Sequence, residues 1–337
     1  MQRKKKIKGG FFKYLEYATV RIVFFLFMLL PFRLRVWFME RLTLLMGMVS
    51  SNVKDRVYGN VAASFPDRKP HEVKAIVKEN LKILARMTCE FYQEPRMKRE
   101  FIDRWIVQEP DADTHRQLAR DGGILVLGHL GSWEWKGVSI TRVTEKELFV
   151  FAKRQSNPWA NAWIERIRGS QNIKLVYTDE SPRVTFRLLK NKAIVAFISD
   201  QDAGKDGPFY PFMGRLASTF QGPALFARKT DAPVIFCYSY HDQQGRLHFK
   251  MEPFERPDVD PDQDPREWER HFTYRWVKKL EEKVMEHPAD YYWLHKRWRS
   301  RPENPEEEIR FWTEWETRHG FPLSFPEGKE YLRKTDR

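Results

Sequence analysis

The chain has 337 residues, 42% hydrophobic and 15% aromatic, enough to bury a sizeable core and more in keeping with one large domain than with two small ones. Its 59 Lys and Arg outnumber 46 Asp and Glu for a formal charge of +13, so partners are expected among polyanions: nucleic acid, an anionic membrane surface or an acidic carrier protein. The two cysteines, Cys89 and Cys237, stand far apart with no CxxC or Cys/His cluster, which argues against a disulfide framework or a zinc site and suits a reducing compartment.

The N-terminus, "MQRKKKIKGG", carries five basic residues in its first eight and runs into "FFKYLEYATVRIVFFLFMLLPF", which is unbrokenly apolar from Ile22 to Leu30. A membrane span needs about 20 predominantly apolar residues. This stretch therefore predicts either a marginal crossing or a helix lying in the interface with its basic residues on phosphate. No small-residue cleavage site follows, which speaks against a removed signal peptide. The next stretch, "LRVWFMERLTLLMGMV", reads as amphipathic, and residues 1–50 together are expected to attach to an anionic membrane surface.

From Ser51 to about Asp121 the pattern is helical. Val73, Ile76, Val77, Leu81, Leu84, Met87 and Phe91 build one apolar stripe, which Pro95 ends. Between Gly122 and about Met251 the short runs "ILVL", "LFVFA", "IKLVY", "AIVAFI" and "VIFCYSY" alternate with helical patterns at 159–167, 184–189 and 219–228. That alternation predicts an α/β fold, a sheet covered by helices on both faces. A long helix is expected over 267–286. The charged end beyond it offers Trp312, Trp315, Phe321 and Phe325 for packing back onto the body. The expected division is a membrane-attaching segment 1–50, a catalytic domain 51–302 and an extension 303–337.

Within this frame "GHLGSWEW", residues 128–135, is a buried strand end, a tight glycine loop and a helix start near Ser132. Strand ends that open onto helix N-termini are where α/β sheets place their sites. If the loop folds back, Glu134 in the first helical turn can accept the Nδ1–H of His129, leaving Nε2 free to take a proton. Ser132 lacks the G-x-S-x-G elbow of a hydrolase nucleophile, and the glycines match neither dinucleotide nor P-loop spacing. On spacing alone a structural histidine explains H-x4-E as well as a base does.

The same stretch resembles the HX4D/E signature of glycerolipid-type acyltransferases, and four further stretches are similar, in order, to the late acyltransferases of lipid A biosynthesis. These are "RVYGNVAASFP" (56–66), "RQSNPWANAWIERIRG" (154–169), "ISDQDAGKDGPFYPFMGRLASTFQGPALFA" (198–227) and "YYWLHKRWRSRP" (291–302). The resemblance implies a mixed central sheet and transfer of a fatty acyl chain from an acyl carrier protein thioester to a hydroxyl of a lipid A precursor or related glycolipid. In that reading His129 is the general base and Glu134 orients it. Arg168 suits a phosphate, and Asp200 pairs with Arg168 or with a neighbouring base. Arg154, Asn157 and Arg297 support the site, while His295 is expected to be packed. Backbone N–H groups at 131–133 are the expected oxyanion donors. No cofactor or metal is expected. Nucleic acid is not an expected partner either, since the abundant Phe is not interleaved with Lys and Arg. The implied location is the cytoplasmic face of the inner membrane, single-pass or monotopic.

Overall fold

The structure, a computed structural model, describes residues 10–49 and 51–325; the basic run at residues 3–8 lies outside the described residues. Helices α1 (Phe11–Phe27), α2 (Phe32–Val49), α3 (Ser51–Ser64), α4 (Pro70–Gln93) and α5 (Arg99–Trp105) precede the first strand, β1 (Ile106–Glu109). Then come α6 (Ala112–Leu118), β2 (Gly123–Leu127), α7 (Trp133–Thr144), β3 (Leu148–Ala152), α8 (Pro158–Gly169), β4 (Ile173–Tyr177), α9 (Pro182–Lys190) and β5 (Ile194–Ile198). A hairpin, β6 (Phe209–Phe212) and β7 (Arg215–Ser218), leads to α10 (Gly222–Lys229), β8 (Val234–His241), β9 (Leu247–Pro253), α11 (Pro265–Glu286) and α12 (Pro305–Arg318).

Seven strands form one sheet in the order β1-β9-β8-β2-β5-β3-β4. It is mixed: β8, β2, β5, β3 and β4 run parallel, while β9 is antiparallel to β8 and carries β1 parallel to itself. All five residues of β2 are buried, as expected of a central strand covered on both faces. Its pleat separates two cores. Ile124 and Val126 pack with Val195, Phe197 and Phe236 against α3, α4, α10 and α11. Leu125 and Leu127 pack with Ala196 and Cys237 against Phe32 and Val36 of α2 and Trp135 and Val138 of α7.

The helices that follow β1, β2, β3 and β4 each start with a side-chain cap that the sequence supplies. Ser132 accepts from the Trp135 amide, and Asn157 accepts from the amides of Trp159 and Ala160 ahead of Pro158 at the first helical position. A third cluster joins the β6–β7 hairpin and Tyr274 of α11 to Trp312 and Trp315, with Phe321 and Phe325 packed against them.

The N-terminal helices differ from the rest. No residue of α1 is buried, and Phe11, Phe12, Ile22, Phe25 and Leu29 are all exposed. The side of α1 that touches protein rests on α8, where Tyr17 meets Trp163 and Arg21 lies 4.9 Å over the Trp163 ring, and on α4, where Phe24 meets Tyr92 at 3.8 Å between centroids. No described helix is long and apolar enough to cross a membrane. The single-pass alternative for residues 14–32 is therefore not supported, because the apolar run is bounded by Arg21 and by the chain break in helicity near Pro31.

Candidate active site

The strand-to-helix turn after β2 is built so that His129 stands at the carboxyl end of the sheet. Gly131 takes a φ of +65°, and a Cβ there would meet the Ser239 carbonyl oxygen at 2.3 Å, so only glycine allows the turn. Lys136 then braces it from inside. Fully buried, its Nζ donates to the carbonyls of Gly128 (2.9 Å) and Leu130 (2.8 Å), one on each side of His129. Burial pushes the lysine down to about 8, although the charge of Asp200 pulls it back up. The Gly131 amide donates to the Asp290 carbonyl at 2.9 Å, and the Tyr292 amide donates to the His129 carbonyl, also at 2.9 Å.

The imidazole is not oriented by Glu134. Its Nδ1 lies 2.6 Å from Asp200 Oδ1, and its own backbone amide donates to Asp200 Oδ2 at 2.8 Å. Sheet register brings these two residues together. In the parallel β2–β5 pair Leu127 lies opposite Ile198, so the residues two steps beyond each, 129 and 200, emerge side by side. Burial by itself would raise the Asp200 carboxyl. The His129 charge, the hydrogen bonds from His129 and the Arg297 charge outweigh it and hold the group well below the usual carboxylate range. The Asp200 side chain is 2% exposed and that of His129 12%. On the other side of the ring Nε2 has Gln201 Nε2 at 3.3 Å, and Trp133 stands edge-on to the ring at 4.8 Å between centroids.

Glu134 instead grips Arg168 of α8 with both oxygens: Nε to Oε2 is 3.0 Å and Nη2 to Oε1 is 2.6 Å. This fork is the geometry for which arginine is suited. Behind it Glu94 is buried, and neither carboxyl oxygen has a hydrogen-bond partner among the described residues. Burial, then the Glu134 charge, drive that carboxyl well above the ordinary range against the pull of Arg168. An apolar cavity of about 30 Å³ lies beneath the ion pair, lined by Leu127, Gly137, Ile140, Val150, Ala196 and Ile198 among others.

The other expected residues divide. Arg297 is buried, and its guanidinium ties down the loop after β5 through the carbonyl of Gln201 (3.2 Å), the carbonyl of Ser218 and the hydroxyl of Thr219 (2.7 Å). His295 is half-buried with its ring parallel to that of His129 at 6.5 Å, close to the site and not simply packed away. Arg154 is not brought to His129: it pairs with Asp179 (3.3 Å) and Glu180 (3.8 Å) in the open. Asn157 caps α8 and donates to the Lys13 carbonyl at 3.0 Å, which fastens α1 to the body. Ser132 is buried and spent as a cap, and the Gly131 amide, expected as an oxyanion donor, is already engaged.

Sequence reasoning did not find Lys136, Gln201 or a second histidine centre. His241, at the end of β8, lies 2.7 Å from Asp290 Oδ1 and 3.0 Å from Glu90 Oε1, all three buried or nearly so. Burial would lower it, but the Glu90 charge and the bonds to both carboxylates push it up to about 9. The Asp290 carbonyl that receives the Gly131 amide connects this centre to the His129 turn.

A mixed α/β sheet that presents a carboxylate-held imidazole at its strand ends is an arrangement able to take a proton from a bound group. The chain belongs to the bacterial lipid A biosynthesis acyltransferase family, whose family model matches residues 5–300. It is an acyltransferase. Among curated relatives it is similar to the lipid A biosynthesis lauroyltransferase of Escherichia coli (strain K12), 25% identical over 266 residues that cover 73% of this chain and 79% of the relative. It is also 22% identical over 254 residues to the lipid A biosynthesis palmitoleoyltransferase of the same organism and to a lipid A biosynthesis acyltransferase of Shigella flexneri, covering 72% of this chain and 78% of each relative.

Proposed function

We propose that the protein transfers a fatty acyl chain from an acyl carrier protein thioester to a hydroxyl of a lipid A precursor at an anionic membrane surface. The observation that carries this is the asymmetry of His129: Nδ1 is held at 2.6 Å by a buried carboxylate, while Nε2 meets a neutral side-chain amide at 3.3 Å on a ring that is 12% exposed. A ring fixed in that way keeps its second nitrogen for an acceptor's proton. His129 Nε2 takes the hydroxyl proton as the oxygen attacks the thioester carbonyl. The ester C–O bond forms, the C–S bond breaks, and the imidazolium returns the proton to the departing thiol. Asp200 holds the tautomer and stabilises the imidazolium in between.

The first-turn amides of α7, at Trp133 and Glu134, have no acceptor within their own helix and are the proposed oxyanion donors. Arg168, fixed by Glu134, is the proposed contact for a phosphate on the acceptor or on the carrier arm. The two acyl chains in the relatives' names differ, so chain length is left to experiment. The exposed aromatic and aliphatic side chains of α1 and α2 support a monotopic attachment in which the helices lie in the interface. The charge of +13 favours both anionic lipid and an acidic carrier.

The test is incubation of the full chain with isotopically labelled acyl carrier protein thioesters or coenzyme A thioesters and a lipid A precursor, followed by mass spectrometry. Labelled ester on the precursor from the carrier-bound donor, abolished in His129→Ala with the circular dichroism spectrum intact, is the expected result. Transfer undiminished in that variant overturns the mechanism, and transfer from coenzyme A alone overturns the donor.

A further inference from the structure

A different cluster of donor atoms lies where the C-terminal helix meets α11. Glu267 and His271 stand one turn apart on α11, and His319, at the C-terminal cap of α12, closes against them. Glu267 Oε1 is 3.4 Å from His271 Nε2 and 3.3 Å from His319 Nε2, and the three atoms all lie within 4.8 Å of one another. His271 is 8% exposed and its Nε2 has no hydrogen-bond partner, a state that buried nitrogens seldom keep.

These separations are long for histidine–carboxylate hydrogen bonds. The same molecule makes such bonds at 2.6 Å between His129 and Asp200 and at 2.7 Å between His241 and Asp290. They do match the edge of a coordination tetrahedron, since metal–ligand bonds of about 2.0–2.1 Å place neighbouring ligand atoms roughly 3.3 Å apart. The carboxylate is also oriented from outside: Trp315 Nε1 donates to Oε1 at 2.5 Å, and Arg270 holds Oε2.

We propose that Glu267, His271 and His319 bind a divalent transition metal, with Zn²⁺ the best match for two imidazoles and one carboxylate. Water completes the shell on the side where His319, 26% exposed, opens to solvent. The bound ion supplies the partner that His271 Nε2 lacks and ties α12 to α11. Its role is to hold the aromatic cluster of Tyr274, Trp312 and Trp315 together, at a place separate from the strand-end turn that carries His129.

The experiment uses the full chain without a polyhistidine tag, stripped with a chelator and titrated with Co²⁺. One equivalent should bring up the visible bands of tetrahedral Co²⁺, Zn²⁺ should displace them, and Zn²⁺ should raise the thermal unfolding midpoint. His319→Ala, a partly exposed position just past a helix, should weaken binding by at least roughly tenfold, the loss that even an outer partner of a metal site can produce. It should also remove the rise in midpoint. His271→Gln should do the same, and if that buried variant fails to fold, His319→Ala still decides. Absence of the bands in the parent, or unchanged bands in His319→Ala, overturns the site.

Discussion

His129 and His241 are the same local device used in two ways. Each stands at or just beyond the end of a sheet strand, each has Nδ1 on an aspartate at 2.6 or 2.7 Å, and each gives its backbone amide to that same aspartate, at 2.8 and 3.0 Å. They part at Nε2. Around His129 this nitrogen meets the amide of Gln201 at 3.3 Å, whereas around His241 it is closed by Glu90 in a 3%-exposed interior. Two buried carboxylates make His241 a fixed cation that can neither give nor take a proton near neutrality. His129 has a single one. What faces the second ring nitrogen, and not the histidine–aspartate pair itself, is the difference on which the proposed role of His129 as base rests.

That contrast can be broken most directly by removing each ring in turn. His129→Ala should lower the acyl-transfer rate by about 10²–10⁴-fold, the usual worth of a general base, with the unfolding midpoint nearly unchanged. His241→Gln should do the reverse and destabilise the fold by about 3–5 kcal/mol, because two buried carboxylates lose their cation. Equilibrium denaturation and the transfer assay on both proteins decide this, and equal stability losses would erase the distinction. Asp200→Asn should lower the rate by between roughly tenfold and the full loss seen without the base, since the ring would lose its tautomer and its counter-charge.

The pH dependence sharpens the comparison further. His241 keeps its proton in the folded chain up to about 9, while the unfolded chain releases it near 6.5, so the folded state binds more protons in between. Stability from this group is complete below the lower value and is lost as pH rises through the upper one. Lys136, pushed down to about 8, acts in the opposite sense above that pH, so 6.5 to 8 is the window in which to read His241. The parent should lose about 1.5 kcal/mol more than His241→Gln across it, measured by urea midpoints at each pH. The smallest effect is expected at Gln201→Ala, less than roughly tenfold in rate, since its contact is a single long hydrogen bond.

Much of the site was legible in order but not in pairing. Alternating runs and turn residues were enough to draw β2, β3, β4, β5 and β8, the glycine turn and the start of α7 at Ser132. The short β1 and the half-exposed β9 passed unread, because four residues, or an alternation such as "LHFKMEP", carry little signal outside the sheet. Lys136 reads in sequence as a solvated helical lysine. Only the closeness of the loop carbonyls makes its burial tolerable. Arg154 and Asn157 sit in a stretch similar to the family's own, yet the fold uses one in an exposed ion pair and the other as a cap.

Local chemistry was sufficient to put an imidazole at the tip of a buried strand, since hydrophobic alternation, a glycine with positive φ and a serine cap are all decided within a few residues of one another. The choice of carboxylate was not local. Glu134, five residues away, goes to Arg168, while Asp200, 71 residues away, reaches His129 because β5 lies beside β2 in matching register. Strand order and register arise from packing both sheet faces at once, and no single segment of the chain contains that information.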